Sequence, residues 1–419
     1  MTLNTSKLSN TIASIEKNIQ KYGMERFDPT DIRKIPIICK PYKWSKLLRK
    51  MVLAADNLSP ILVRKALGIT PTKLHVTAFT TLANAYLKME ASGIYKSAVY
   101  DSRYFVDLYV NDYVKGTDPN KWWQHKGLGI NFFNINVGNK LATMHMHGLA
   151  RANITLIDVG NFYMDKRYLD IATFSAFSVL DSHQVIDYKD GTKSVSYYYN
   201  SYDCTLNVNS EYAQWLSMLP QNCHNVKSLS VLNGILRLLL KEQNDDGSWY
   251  YFSRWHMETY RLTPSCDCHH SATVLYNMIN ITKCSYIEHN IKKAFVVSIE
   301  KGMEFFINAF YNLSTGKGIE VLGLSRPACS VQYAETIFAL CEYLSCPDFY
   351  SSNTYLKAKN LLPLLVDRMI ELVNLEDGSA PSEKIIRWSN INSIRWGNGP
   401  ILQAIATYSL IYDSVYKQK

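Results

Sequence analysis

The sequence has few charged residues and no long uninterrupted hydrophobic run. Asp, Glu, Lys and Arg make up 19% of its 419 residues, whereas 47% are hydrophobic. Soluble domains typically carry about 25% charged residues, so the composition indicates a large globular core and excludes disorder and coiled coil. The sequence contains no stretch of about 18 uncharged apolar residues, which a transmembrane helix would require. The polar residues 1–21 lack the apolar core of a signal peptide. We therefore expect a cytoplasmic protein.

The sequence also lacks a disulfide framework and a recognisable metal or cofactor motif. Its nine cysteines are scattered, which is typical of reduced thiols in the cytoplasm. Cys266, Cys268, His269 and His270 have zinc-binding side chains, but they stand too close together to supply four tetrahedral ligands from one loop. No phosphate-binding loop, dinucleotide fingerprint, Gly-x-Ser-x-Gly or Asp-rich prenyl-diphosphate motif occurs. We expect neither a metal ion nor a cofactor.

The formal net charge of +9 is concentrated at one end of the chain. Residues 1–73 contain 14 basic and 5 acidic residues, and the remaining chain contains 31 of each. This distribution argues against a nucleic-acid groove across the whole fold. Residues 42–54 predict a helix that separates apolar from basic positions, namely Trp44, Leu47, Leu48 and Met51 from Lys43, Lys46, Arg49 and Lys50. Such a helix is typical of peripheral contact with an anionic membrane; the alternative is that its apolar face packs on the protein's own body.

Apolar helices dominate the rest of the chain. Their hydrophobic positions recur every three or four residues, as at Leu229, Leu232, Ile235, Leu236 and Leu239. The predicted helices are 77–89, 105–114, 145–163, 228–243, 271–281, 291–310, 332–344, 355–373 and 400–412. Helix pairs recur at about 50–60 residues, which is typical of helical-hairpin arrays. Alternation typical of a β-strand is confined to 195–199.

Several helices are apolar on nearly all sides, as in residues 271–276. A closed double ring of helices requires this of its inner members, whereas an open solenoid does not. The sequence therefore predicts an all-α (α/α)6 barrel at 74–419, with a basic helical segment at 1–73 packed on it or beside it. We expect 228–243, 270–281, 332–344 and 400–412 among the inner helices. The aromatic-rich loops 197–199, 249–252 and 395–397 are expected at one mouth.

Two Asp-Gly-Ser turns each follow a predicted helix, at 246–248 and 377–379. Asp-Gly favours a turn, after which aromatic side chains fold back on neighbouring helices. The first copy, within 243–251, resembles the Gln…Gly-x-Trp turn of terpenoid-cyclase toroids and equally the turn of six-hairpin carbohydrate enzymes.

Taken in order, several segments resemble a group of bacterial (α/α)-barrel proteins associated with capsule and exopolysaccharide synthesis. The matching segments are 58–69, 198–216, 243–251, 267–275 and 395–400. The resemblance implies a six-hairpin toroid with a carbohydrate-sized pocket, and it implies no settled reaction. The sequence also departs from the group, because Cys329-Ser330-Val331 stands where an Asp-x-His usually precedes a late inner helix.

Asp267 and His270 directly precede a predicted inner helix, and Glu258 lies upstream in the sequence. A carboxylate or imidazole that moves a proton while aromatic faces hold a sugar ring suits glycosidic cleavage, uronate lysis or epimerisation. These three residues are the predicted catalytic groups. The alternative for Asp267 is that it caps the helix and that His270 packs below it.

Six residues are predicted to bind the substrate, namely Trp249, Tyr250, Tyr251, Tyr198, Arg395 and Trp396. An Arg and an aromatic at a helix start suit a carboxylate or phosphate on a sugar. Alternatively, Trp396 packs, Arg395 pairs with a loop acid, and the tyrosine run at 197–202 fills a strand. His145 and His147 stand two apart on one helix and do not share a face, so we expect them to pack or face solvent.

These features predict a carbohydrate-active protein, with a glycan or activated sugar as its partner and a role in polysaccharide biosynthesis. A toroidal cyclase of an isoprenoid or peptide is an alternative, but Asp245-Asp246 is a poor substitute for the Asp-x-Asp-Asp of squalene-type cyclases. A second alternative is a glycan-binding scaffold without catalysis, which the missing Asp-x-His favours.

Overall fold

The computed structural model describes residues 5–29, 32, 46–71, 76–111, 146–198, 201–380 and 391–417. These residues are mostly helical. The helices are α1 (Thr5–Tyr22), α2 (Lys46–Leu58), α3 (Pro60–Ala66), α4 (Val76–Ser92), α5 (Ser102–Tyr109), α6 (Met146–Tyr163), α7 (Lys166–Ser182), α8 (Leu206–Met218), α9 (Val226–Glu242), α10 (Arg254–Tyr260), α11 (Cys268–Thr282), α12 (His289–Phe310), α13 (Ser330–Leu344), α14 (Asn353–Ile370) and α15 (Gly399–Tyr416). β1 (Val185–Asp187) pairs antiparallel with β2 (Lys193–Val195), so that Val185 lies opposite Val195.

Six helices form a closed inner ring. In ring order they are α4, α6, α8, α11, α13 and α15, each in contact with the next, and α15 packs again on α4. Inner helices are buried on nearly every side; in α13 every residue except the half-buried Glu342 is buried. This follows from sequences that are apolar or small and neutral all round, since no face has to meet water. The predicted closed barrel is confirmed.

An outer layer covers this ring. α5, α7, α9, α12 and α14 pack on the inner helices that precede them in the chain. The expectation that 228–243 is an inner helix is wrong, because α9 packs on α8, β2 and α12 instead. Its polar residues Lys227, Ser230, Arg237 and Lys241 form an exposed stripe, which is the pattern of a surface helix.

Both Asp-Gly-Ser segments form the predicted turns. Gly247 and Gly378 have φ of +97° and +67°, a region that glycine adopts without a steric penalty. Each turn also lies against an outer helix: a Cβ at Gly247 would lie 2.5 Å from Lys301 O of α12, and one at Gly378 would clash with Ser14 O of α1. The two turns therefore make the same kind of contact at different places around the ring.

The N-terminal helix α1 occupies the outer position beside the last turn. Ser14 Oγ donates to Leu375 O (2.8 Å), Asn18 Nδ2 donates to Asp377 O (2.6 Å), and Lys7 pairs with Asp367. Its face toward the barrel is apolar, and Ile12, Ile15 and Ile19 are fully buried there. The division of the chain at residue 73 stays a prediction.

The following helices, α2 and α3, are tied to the chain after α1 by one buried side chain. Arg64 is fully buried; it pairs with Asp56 and donates to Pro60 O (3.1 Å), Asp28 O (3.3 Å) and Pro29 O (3.2 Å). Residues 42–45 of the predicted basic helix lie outside the described residues. No helix in the described ranges has the length and hydropathy needed to cross a bilayer.

Candidate active site

The inner helices begin at a common mouth, formed by residues 197–198, 251, 267–270 and 395–396. Asp267 is the N-cap of α11: its Oδ1 accepts a hydrogen bond from His270 N (2.9 Å). Its Oδ2 lies 2.7 Å from His270 Nδ1. Asp267 therefore caps the helix, as the structural alternative required, and also fixes the imidazole ring of His270.

The pairing keeps Asp267 ionised. Burial would raise the pKa of Asp267, but the charge and the hydrogen bonds of His270 outweigh it and hold the pKa below its usual value. A carboxylate that accepts from Nδ1–H selects one imidazole tautomer, which leaves Nε2 on the opposite side of the ring for proton transfer.

Aromatic side chains lie beside His270 on one side of the mouth. The Tyr251 ring lies 4.4 Å from that of His270, and the Tyr197 and Tyr198 rings lie 4.6 Å apart. Burial, together with Tyr251 and Asp203 nearby, raises the pKa of Tyr198, so its hydroxyl stays protonated. The structure therefore brings the predicted residues Tyr198, Tyr251, Asp267 and His270 together.

Arg395 and Trp396 complete the mouth from the opposite end of the chain. They lie in a single π-helical turn, Ile394–Asn398, before α15, and the Arg395 guanidinium stacks 4.5 Å from the Trp396 ring centre. Trp396 lies 6.2 Å from His269, whose ring is 4.8 Å from that of His270. Arg395 Nη1 also lies 3.5 Å from Asp28 Oδ2, the loop acid that the structural alternative required.

Three predicted residues are not brought to His270. Trp249 is only 3% exposed, donates from Nε1 to Leu239 O (2.9 Å), and packs so closely on Gly302 that a Cβ there would lie 2.5 Å from the indole. Such burial leaves no ring face for a ligand, so a binding role for Trp249 is corrected to packing. Glu258 is exposed on α10, where its charge acts on Glu242. Tyr250 is half-buried and makes no ring contact with another described residue.

A charged network that was not predicted from the sequence lies inside the ring. Arg151 of α6 donates from Nε to Glu211 Oε1 of α8 (2.9 Å). It also forms a two-pronged pair with Glu335 of α13, from Nη1 to Oε1 (2.7 Å) and from Nη2 to Oε2 (2.9 Å). The side chains of Glu211 and Glu335 are 1% and 4% exposed. Three inner helices therefore join through one guanidinium, which satisfies two buried carboxylates.

His147 belongs to this network, contrary to the expectation of a packing or solvent residue. Its Nδ1 lies 2.8 Å from Glu211 Oε2. Burial and the nearby positive charges of Arg151, Arg395 and His270 lower its pKa, so the imidazole is neutral. His145 lies outside the described residues.

Glu211 can exchange a proton near neutral pH. Burial raises its pKa to about 7, although the charge and hydrogen bond of Arg151 oppose the shift. A carboxyl group with a pKa near the working pH is suited to general acid–base chemistry. Glu211 also contacts His147, the second residue of α6, so the carboxyl lies close to the mouth.

One sequence signal could have revealed these residues. Arg151, Glu211 and Glu335 are the single Asp, Glu, Lys or Arg within 146–157, 206–218 and 330–341, respectively. A charge that is isolated in a helix buried on all sides must find a partner of opposite charge. Isolated charges on predicted inner helices therefore predict partners across the ring.

The Cys/His cluster does not converge on one point. Cys268 Sγ lies 3.2 Å from Tyr311 Oη and 3.6 Å from Thr336 Oγ1 in the barrel wall, whereas His270 faces the mouth. Within the described ranges no three His, Cys, Asp or Glu side chains are arranged to hold a metal ion. At the start of α13, Cys329 takes the N-cap position that Asp267 has in α11.

The acids of the first turn do not face the ring interior. Asp245 and Asp246 are exposed, and Asp246 Oδ1 accepts from Ser248 N (2.9 Å) to close the turn. They serve the turn and do not form the acid motif that a squalene-type cyclase requires.

Comparison with known proteins supports the fold. No family model and no curated protein matches the sequence. Among solved structures, a Salmonella enterica protein described as a possible GH105 family member has a TM-score of 0.63 at 9% identity, covering 98% of this chain and 96% of its own. An unsaturated glucuronyl hydrolase from Streptococcus agalactiae has a TM-score of 0.62 at 13% identity (98% and 93%). A sugar epimerase from a ruminal bacterium has a TM-score of 0.53 at 11% identity (80% and 87%).

These similarities and the closed ring define an all-α (α/α)6 toroid, which confirms the predicted fold class. The likeness to capsule and exopolysaccharide proteins stays a prediction.

Proposed function

We propose that this protein is an enzyme that acts on a glycan by acid–base chemistry at the mouth. The observation that carries the proposal is the Asp267–His270 pair, which lies beside Tyr251 where the inner helices begin. The similarity in fold to a glucuronyl hydrolase and a sugar epimerase supports a carbohydrate as substrate.

Each residue of the mouth has a chemical role in this proposal. His270 transfers the proton through Nε2, and Asp267 holds its tautomer and stabilises the imidazolium. Tyr251 and Tyr198 pack against the sugar ring. Arg395 binds an anionic substituent of the sugar. Asp28 and Trp396 hold its guanidinium in place for this contact. Hydrolysis, elimination and epimerisation all require such a proton transfer.

Glu211 supplies a second proton-transfer group. Its pKa of about 7 lets it donate or accept a proton at neutral pH. Glycoside hydrolases use a pair of carboxyl groups in this way, one of them with a raised pKa. Arg151 positions Glu211 and Glu335, because three of its five N–H groups donate to these carboxylates.

A turnover assay tests the proposal. We incubate the protein with hyaluronan, chondroitin, polygalacturonate and mannan fragments, and follow new reducing ends, unsaturated uronate and exchange of sugar hydrogens in D₂O. We expect conversion by the wild type, and a loss of about 100-fold or more in Asp267→Asn and in His270→Ala, the usual size of acid–base contributions.

Asp165→Asn is the matched control. Asp165 also caps a helix, since its Oδ1 accepts from Arg167 N (3.0 Å) at the start of the outer helix α7. Asn caps a helix about as well as Asp, so both Asp→Asn variants should keep their caps and stay folded. Full activity in His270→Ala, or equal losses in Asp267→Asn and Asp165→Asn, would contradict the proposal.

One observation favours a second function, binding without catalysis. Cys329 stands at the start of α13, where the capsule and exopolysaccharide proteins that the sequence resembles usually carry Asp-x-His. A wild type that binds fragments of this panel but converts none of them would establish the glycan-binding scaffold.

The proposed pathway is polysaccharide biosynthesis in the cytoplasm. Its support is the resemblance of segments such as 267–275 and 395–400 to capsule and exopolysaccharide proteins. Glycosyltransferase genes beside the gene for this chain would favour this role, and a terpene pathway or a peptide precursor there would favour a cyclase.

A further inference from the structure

A continuous run of aromatic rings leads from His270 out of the mouth. The rings of His270 and Tyr251 lie 4.4 Å apart, those of Tyr251 and Phe252 4.5 Å, and those of Phe252 and His256 4.7 Å. Tyr260 follows at 4.5 Å from His256. We call these five residues the aromatic run. It joins the candidate catalytic pair to the exposed surface of α10.

The outer end of the run presents aromatic surface to solvent. Tyr260 is 50% exposed and Trp255 is 36% exposed, and Trp255 lies edge-on to Tyr188 at 5.6 Å. Asp203 lies beside this surface, with Oδ1 4.0 Å from His256 Nε2. Exposed aromatic rings next to a carboxylate that can accept hydrogen bonds match the two faces of a sugar, its apolar C–H face and its hydroxyl groups.

The surface is carried on a fixed platform. Arg254 N donates to Glu242 Oε2 (2.8 Å), and Arg254 Nη1 donates to Lys241 O (2.8 Å), which anchors the start of α10 to the end of α9. Backbone hydrogen bonds from Leu206 N to Tyr251 O (3.1 Å) and from Tyr251 N to Ser265 O (2.9 Å) tie the loop before α10 to its neighbours. A preorganised aromatic surface loses little conformational freedom when it binds a ligand.

We propose that α10 is a distal sugar-binding subsite, and that the substrate is an extended glycan chain that reaches from His270 at the mouth to the exposed rings of α10. The inference rests on the proposed function and adds the length of the substrate. Trp255 and Tyr260 contact a sugar unit remote from the reacting bond, and Asp203 accepts hydrogen bonds from its hydroxyls. Binding energy from such remote units positions the reacting unit.

An array of mono- and oligosaccharides of increasing length, made from hyaluronan, chondroitin, polygalacturonate and mannan, tests this subsite. Proteins in a His270→Ala background are used, so that turnover does not consume the probes. The parent should bind long oligosaccharides more tightly than monosaccharides of the same polymer. Trp255→Ala and Tyr260→Ala, made separately in this background, should each weaken binding of long oligosaccharides about tenfold and leave monosaccharide binding unchanged.

Tyr350→Ala is the matched control, because Tyr350 is 47% exposed before α14, at the opposite end of the ring. Circular dichroism checks the fold of each variant, and two separate variants guard against loss of fold in one. Equal affinity of parent and both variants for every length would overturn the distal subsite and leave the proposed function intact. Absence of binding to any saccharide would overturn both.

Discussion

Glu211 shows how burial changes the chemistry of a single residue. Its side chain is 1% exposed, and it shares the guanidinium of Arg151 with Glu335. Removing a charge from water costs several kcal/mol unless a partner compensates for it. One cation is set against two carboxyl groups here, so a raised pKa for one of them is the expected result.

This shift predicts how stability depends on pH. The folded protein keeps a proton on Glu211 up to about pH 7, whereas an ordinary glutamate releases it near 4.5. The folded state therefore binds more protons between these values, and the free energy of unfolding falls as pH rises through this window. The contribution is about 3 kcal/mol at most, since one pKa unit corresponds to about 1.4 kcal/mol.

Denaturant unfolding of the wild type and Glu211→Gln, measured from pH 4 to pH 8, checks this prediction. As the pH rises through this window, the unfolding free energy of the wild type should fall relative to that of Glu211→Gln. Glu304→Gln, at an exposed partner of Lys357, is the control and should give a curve parallel to that of the wild type. Parallel curves for Glu211→Gln would contradict the assigned pKa.

At the residue scale, the sequence predicts contacts between neighbouring residues, but it does not predict which residues pair across the ring. Asp267 and His270 are three apart at a helix start, so their contact follows from local geometry and was predictable. Arg151 and Glu335 are separated by 184 positions and meet only because the ring closes. Trp249 was misassigned because an aromatic in a turn looks the same in sequence whether it faces a ligand or the wall.

At the scale of elements, amphipathic periodicity predicted most helices, but it missed the outer helix α7 and, in the inner ring, α8. This helix contains Asn207, Asn209 and Ser210, which favour caps and turns over helix interiors. The structure compensates through tertiary contacts: Val195 N donates to Asn209 Oδ1 (2.7 Å), and Asn277 Nδ2 donates to Ser210 Oγ (2.8 Å). Local propensity could not reveal partners supplied by β2 and α11.

Whether a helix lies in the inner ring or in the outer layer was harder to predict than the presence of the helix. Residues 228–243 are predicted as an inner helix, yet the polar residues of α9 form one stripe that meets solvent. The predicted strand at 195–199 begins where β2 ends, because the strand pair is set by the turn at Asp190-Gly191, where Gly191 has φ of +81°.

The basic helix α2 leads to a prediction about membranes. Leu47 and Met51 are 70% and 59% exposed, so packing of this face on the barrel does not account for them. We expect α2 to bind anionic membranes through these side chains and neighbouring cations, each contributing about 1 kcal/mol near an anionic surface. Vesicles containing phosphatidylserine should retain the protein at low salt and release it at high salt, because salt screens the attraction.

Charge-matched variants separate α2 from the rest of the surface. Changing Lys43, Lys46, Arg49 and Lys50 to Gln should abolish retention. Changing the exposed Lys189, Lys227, Lys293 and Lys317 to Gln removes the same charge elsewhere and should preserve it. If phosphatidylserine vesicles retain no more wild-type protein at low salt than phosphatidylcholine vesicles do, this role is contradicted.

At the scale of the whole molecule, closure of the ring places the two ends of the chain side by side. The contact of α1 with the turn at 375–378 joins residues 361 positions apart in the hydrogen bond from Ser14 Oγ to Leu375 O. The same closure brings Arg395 to Asp28 at the mouth. Helix repeats in the sequence predict that a ring closes, but they do not predict which helix completes its outer layer.

The closed ring also explains why the chemistry gathers at one mouth. α6, α8, α11 and α13 place Arg151, Glu211, Thr273 and Glu335 at one level, since Arg151 contacts the other three. The starts of these helices meet at the mouth: Met146 N of α6 donates to Tyr197 O, and Leu206 N of α8 donates to Tyr251 O, whose ring lies against His270. Positive helix ends and fixed aromatic rings together suit an anionic or polar sugar.

The most direct test of this account is a crystal structure of the His270→Ala variant with the oligosaccharide that the wild type converts fastest. We expect one sugar unit to lie against Tyr251, within reach of the vacated imidazole position and of Arg395, and the chain to continue toward Tyr260. A sugar bound only on the outer helices, or an empty mouth at saturating oligosaccharide, would contradict it.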